Sequence, residues 1–292
     1  MTEGERRAAI GTPIVFVIGI LLALAGGHNG QMVGGLSLYG LCVLIAFGIQ
    51  WLMFIPSYYM GQGETYFDLT GSITYLTVMI VAVVLSDNTD TRAVLFLILV
   101  AVWAIRLGSF LFMRIKKAGH DGRFDEIKKY WVRLFFAWTL QGLWVSFSAA
   151  AALAAIGSLD SKPLGPIGII GIIVWMIGFA IEAISDWQKS QFRSDPKNKD
   201  KFITTGLWAW SRHPNYFGEI TLWLGIAIIA MPILVGWQWF MMISPIFVFL
   251  LLTRISGVPL LEARADKKWG GQVDYEAYKA KTPVLVPRPP SS

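Results

Sequence analysis

The stretch Ser211-Arg212-His213-Pro214-Asn215-Tyr216-Phe217-Gly218-Glu219 decides the reading of this chain, because residues 220–233 that follow it are almost wholly apolar. Charged and amide side chains at the mouth of such a segment are costly in lipid unless something polar lies beside them. Pro214 suits the first turn of a helix, where its missing N–H costs nothing. Asn215 and Glu219 then fall four apart, on one face. The polar end of this helix reads as the wall of a ligand pocket.

Working outward, the rest of the chain has the composition of a membrane protein. Hydrophobic residues make up 55% of it, charged residues 15%, and mean hydropathy is +0.55, whereas a soluble chain carries about 25% charge. Apolar runs long enough to cross a bilayer recur at 12–26, 34–56, 69–86, 92–113, 131–156, 164–185, 215–234 and 237–256. The expected fold is an all-α polytopic bundle of seven or eight transmembrane helices. The count turns on the first of them. Leu22-Ala23-Leu24-Ala25-Gly26 resembles a signal-peptide cleavage site, but Glu3 and Glu5 spoil the basic region that should precede it, so an uncleaved helix is expected.

Loop charge sets the expected orientation. Loops 114–130 and 186–214 carry six Lys or Arg each and the tail from Arg254 carries seven, while the alternate loops hold only Lys162, with Arg92 at an edge. By the positive-inside rule both termini are cytoplasmic. The net charge of +6 follows from these loops, and no nucleic-acid partner is expected. The single Cys42 allows no intrachain disulfide, and three histidines without a Cys/His cluster or an HExxH pattern offer no metal site.

Charges inside the spans are where chemistry is to be sought. Glu182, Asp186, Lys189 and Arg193 recur at spacings of four, three and four, one stripe on one helix. Glu182 lies deepest, which tilts the stripe toward a pocket rather than a snorkelling, self-paired face. Arg106 sits within the apolar run 102–110 and must face the bundle interior, a carboxylate or a phosphate. Arg114 and Arg123 extend that basic lining. Glu64 and Asp68 open the third segment in a loop without Lys or Arg. Burial without a cation would keep either acid protonated and able to donate, and a helix cap is the competing role for Asp68.

These residues carry a resemblance. Gly206-Leu207-Trp208 followed by 211–219 is similar to the C-terminal hallmark of the steroid 5-alpha-reductase family, and most of all to its bacterial branch of uncharacterised membrane proteins. Glu182-Ala183-Ile184-Ser185-Asp186-Trp187-Gln188-Lys189, Ser256-Gly257-Val258-Pro259-Leu260-Leu261-Glu262 and Tyr275-Glu276-Ala277-Tyr278 fit the same branch. The resemblance divides the chain into N-terminal transmembrane helices, 1–60, and a catalytic domain, 61–292. It implies an NADPH-dependent reductase of a conjugated carbon–carbon double bond, acting on a hydrophobic, steroid- or lipid-like enone drawn from the bilayer. By position it assigns the cofactor to Arg106, Asp186, Arg193, Asn215, Glu219 and Arg254, and the substrate carbonyl to Asp68. Arg212 and His213 join the cofactor set on chemical grounds, since a dinucleotide needs cations and donors. Glu64 and Trp103 join the catalytic set, Trp103 standing where steroid-reducing members carry a tyrosine. No GxGxxG follows a strand, so a soluble dinucleotide fold is excluded.

A rival resemblance shares the same stretch. Arg212-His213-Pro214-x-Tyr216-x-Gly218 is also similar to the motif of integral-membrane isoprenylcysteine and phospholipid methyltransferases, which bind S-adenosylmethionine. Those enzymes show a paired Glu-Glu after the last helix, and here Glu262 follows Leu261. A transporter is the third class, but its inverted repeats and paired broken helices have no counterpart in this sequence.

Overall fold

The computed structural model describes residues 1–61, 63–87, 89–119, 122 and 124–290, with the backbone alone for residues 63 and 64. The described residues are predominantly helical, with almost no strand. Among the described residues seven helices are long and apolar enough to cross a membrane, and a pair bent by 59°, Trp131–Ser148 with Ala150–Ile156, makes an eighth crossing if it is one span. The expected segments are therefore present, most of them longer than their apolar cores alone suggest. Two compact units result. The first is 1–165 with 230–244, and the second is 166–229 with 245–292.

The first unit opens on α1 (Glu3–Gly26), whose start is fixed by a reciprocal cap between Thr2 and Glu5. A two-strand hairpin follows, β1 (Met32–Val33) and β2 (Leu36–Ser37). Its turn, Gly34-Gly35, holds φ of +58° and +85°, values that favour glycine at both central positions. Then come α2 (Leu38–Met60), α3 (Gly63–Leu85), α4 (Thr91–Ala118), α5 (Trp131–Ser148) and α6 (Ala150–Ile156). Every residue of α6 is buried, five of the seven being alanine, and such small side chains let neighbouring helices approach closely. A 3-10 segment, Gly236–Ile243, completes this unit.

One end of this unit is tied shut by side chains that bridge its loops. Gln31, buried, donates to the Leu85 carbonyl at 2.6 Å and accepts from the Asp87 N–H at 2.8 Å. Arg92, only 2% exposed, donates to the carbonyls of Lys162 and Pro163 at 3.2 and 2.7 Å. Ser158 and Lys162 reach the carbonyls of Ile233 and Pro232. Arg92 reads as a loop charge in the sequence, yet it is a buried clamp. Hydrogen bonds from a charged donor are the stronger kind.

The second unit is built on α7 (Pro166–Ser194) and α8 (Pro214–Ala230), followed by α9 (Ser244–Leu250), a π-helical turn (Leu251–Ile255), α10 (Val258–Trp269) and α11 (Val273–Lys281). Two glycines seven apart on each of the first two helices make their contact. A Cβ on Gly171 would lie 2.8 Å from the Gly225 carbonyl oxygen, and one on Gly178 would lie 2.7 Å from that of Gly218. A Cβ on Gly218 would lie 2.5 Å from the Glu182 nitrogen. Real side chains do not come so close, so the backbones touch only because all four positions are glycine. This contact sets the polar ends of α7 and α8 beside each other.

Candidate functional site

In the second unit, glycine packing brings the stripe on α7 against the head of α8. Glu182, Asp186 and Glu219 are all buried, and Asn215 Nδ2 donates to Asp186 Oδ1 at 3.3 Å. Asp186 and Asn215 are thus joined as the sequence places them, one from each helix. Lys189, next on the stripe, lies 4.1 Å from the centre of the Trp208 ring, a cation–π contact. Arg193, at the end, is exposed. The stripe therefore runs from a buried carboxylate to a solvated guanidinium.

Immediately before α8, a second cluster forms. Glu262, from α10, lies 2.7 Å from Arg212 Nη1 and 2.8 Å from His213 Nε2. Arg212 Nη1 is close to the carboxylate but not aligned on it, so this contact is an ion pair rather than a directed hydrogen bond. Burial pushes His213 below its ordinary value, opposed by the hydrogen bond to Glu262. A neutral ring donating from Nε2 to the carboxylate leaves Nδ1 as an acceptor. That Nδ1, Arg212 Nε and Asn215 Oδ1 are buried atoms that hydrogen-bond to no described residue. Two acceptors and a guanidinium donor, set within four residues, suit a ligand with hydroxyl or amide hydrogens and an anionic group. A nucleotide cofactor fits that donor set.

The chain end holds this cluster in place. The Arg212 N–H donates to the Pro283 carbonyl at 2.9 Å, Ser211 Oγ to the Leu285 carbonyl at 2.8 Å, and Tyr278 OH to the Trp208 carbonyl at 2.7 Å. Trp208 Nε1 in turn donates to the Ser185 carbonyl on α7 at 3.0 Å. Sequence reading had no sign of this strapping beyond the Tyr275–Tyr278 pattern. Arg254 is exposed and belongs to the π-helical turn, a local form common where a helix serves a function.

The remaining candidates belong to the first unit. Asp68 is half-buried, in the second turn of α3. The helix begins six residues earlier than the apolar run suggests, so Asp68 is not an N-cap, and that competing role falls away. Glu64 lies outside the residues whose side chains are described, and so do His120 and Arg123. Trp103 is buried on α4, and its ring meets Tyr75 of α3 edge-on, centroids 5.0 Å apart. Arg106, half-buried, lies 5.7 Å from the Phe110 ring centre, and Arg114 lies 5.9 Å from the same ring. Among the described residues no group of three His, Cys, Asp or Glu is arranged to hold a metal.

No curated protein and no solved structure matches the chain. A family model does, over residues 54–282, which takes in every candidate residue above and leaves out α1 and most of α2. The chain belongs to the family described as "Protein of unknown function (DUF1295)", which includes steroid 5-alpha-reductase-like proteins.

Proposed function

We propose that this protein is a membrane-embedded, NADPH-dependent reductase of a conjugated C=C bond in a hydrophobic enone. The observation that carries the proposal is the Asn215–Asp186 pair at the glycine-packed head of α7 and α8, where the buried Asn215 Oδ1 accepts from no described residue. NADPH, when bound, supplies the hydride. Asp186, Asn215 and Glu219 would accept from its ribose and carboxamide hydrogens and Arg193, Arg212 and Arg254 would meet its phosphates, Arg106 joining them on the resemblance alone. His213, held by Glu262, offers its Nδ1 as a further acceptor. Asp68, with Glu64 and Trp103, polarises the substrate carbonyl by donating a hydrogen bond to its oxygen. The substrate enters from the bilayer, and membrane lipids are the other partners. The resemblance to the bacterial branch puts the protein in a bacterial inner membrane, and the basic loops and tail, all on one side, put both termini in the cytoplasm.

The test is direct. Asn215→Ala and Glu219→Ala, each purified with wild-type melting temperature, should bind NADPH at least ten-fold more weakly. Unchanged affinity in both would sink the assignment of this site. One observation favours a second reading. Arg212, His213 and Glu262 converge on one point, and the rival methyltransferase reading needs that same trio for S-adenosylmethionine. Stabilisation by S-adenosylmethionine and not by NADPH would decide for it.

A further inference from the structure

We propose that Glu262 is a positioning residue for the ligand of this site: it fixes the tautomer and orientation of the His213 ring, so that Nδ1 meets the ligand as a hydrogen-bond acceptor. That the ligand is NADPH rests on the reading above. His213 is 4% exposed, and two elements hold its ring. Tyr216, in the first turn of α8, stacks on it, with centroids 5.6 Å apart and an interplanar angle of 9°. Gly257, at the start of α10, backs that tyrosine, since a Cβ there would lie 2.8 Å from Tyr216 Cε2. Glu262, five residues further along, reaches the ring edge. Its Oε1 lies 2.8 Å from His213 Nε2, and its Oε2 lies 2.7 Å from Arg212 Nη1. The stack fixes the plane of the ring, and the carboxylate fixes which edge faces which way.

An ionised carboxylate can only accept, so Nε2 must carry a hydrogen. Burial favours the neutral ring, the charges of Lys189 and Arg212 act in the same sense, and Glu262 opposes them. A neutral ring has one N–H, which leaves Nδ1 bare. That atom is buried and pairs with no described residue. In the other tautomer an N–H would stand at the same point, donor facing donor, and a ligand hydroxyl or amide hydrogen would be refused. Glu262 therefore acts through His213. In a Ser-His-Asp triad, an amide in place of the orienting carboxylate leaves the geometry intact and gives the wrong tautomer. Glu262→Gln makes the same exchange here. The Arg212 cation keeps the amide oxygen, the amide NH2 turns to Nε2, and the ring hydrogen moves to Nδ1.

The experiment uses the whole protein in detergent with nitrogen-labelled histidine. Imidazole nitrogen shifts give the tautomer, and His213→Asn identifies the His213 signals among the three histidines. Affinities for NADPH and for S-adenosylmethionine are measured for wild type, Glu262→Gln, His213→Asn and the double variant. Wild type is expected to carry its ring hydrogen on Nε2, and Glu262→Gln to carry it on Nδ1. Glu262→Gln should bind NADPH about ten-fold more weakly, and adding it to His213→Asn should cost almost nothing further, since residues that act through one another are not additive. A wild-type ring with its hydrogen on Nδ1 overturns the proposal whatever the variants do. So do ring shifts that Glu262→Gln leaves unchanged, or losses that simply add in the double variant. The same Glu262-dependent loss seen with S-adenosylmethionine and not with NADPH upholds the positioning role and removes the reductase reading alone. A wild-type protein that binds neither overturns both.

Discussion

Replacing Gly218 with alanine tests the packing that positions the site. The added Cβ would lie 2.5 Å from the Glu182 nitrogen and 2.6 Å from the Gly178 carbonyl oxygen. Both are backbone atoms, so no rotamer change relieves the overlap. An ordinary contact needs about 3.5 Å, so α7 and α8 must separate by about 1 Å. Overpacking of this kind costs about 1–3 kcal/mol. The Asn215–Asp186 bond is already 3.3 Å long, and widening by that amount breaks it. A hydrogen bond to a charged group contributes about 1.5–3 kcal/mol more. At about 2–4 °C per kcal/mol for a chain of this size, the melting temperature falls by roughly 5–25 °C. Tryptophan fluorescence during heating reads it. Gly48→Ala is the control, since nothing lies within 4 Å of its added Cβ. If both variants melt together, the glycine contact does not hold the pair and the reasoning fails.

Three further predictions follow from particular residues. Arg92→Ala removes the charged donor from the carbonyls of Lys162 and Pro163 and should cost about 1.5–3 kcal/mol, seen as a lower melting temperature that Arg92→Lys restores in part. His213 is held below its ordinary value by burial, so the unfolded chain binds its proton more readily. Its stabilising effect is complete above about pH 6.5 and is lost as the pH falls through the folded value. The wild-type melting temperature should therefore drop on acidification below about 6.5 more steeply than that of His213→Gln, and parallel curves would refute it. Asp68→Asn should lower enone turnover far more than NADPH affinity, and equal losses in both would move Asp68 out of the substrate role.

The crossings were legible because twenty apolar residues in a row admit few structures. Helix starts were less so. Glu64 and Asp68 read as loop because they are charged, yet α3 already includes both. The stripe from Glu182 to Arg193 and the Asn215/Glu219 face were legible from spacing alone, since helical period fixes which residues share a face. What spacing cannot supply is which faces meet. The pairing of Asp186 with Asn215 depends on Gly171, Gly178, Gly218 and Gly225, whose seven-residue repeats were the available signal. The pairings of Arg92 and Glu262 were hidden by distance, their partners lying some 50 to 70 residues away in sequence.

The central claim is that the head of α7 and α8 holds a nicotinamide dinucleotide. It is tested most directly by denaturing the purified protein, identifying by mass spectrometry what is released, and titrating the emptied protein with NADPH and with S-adenosylmethionine while following its melting temperature. The account predicts released NADP(H), or stabilisation by NADPH that Asn215→Ala abolishes. Released S-adenosylmethionine or its demethylated product, with stabilisation by that ligand alone, would contradict it.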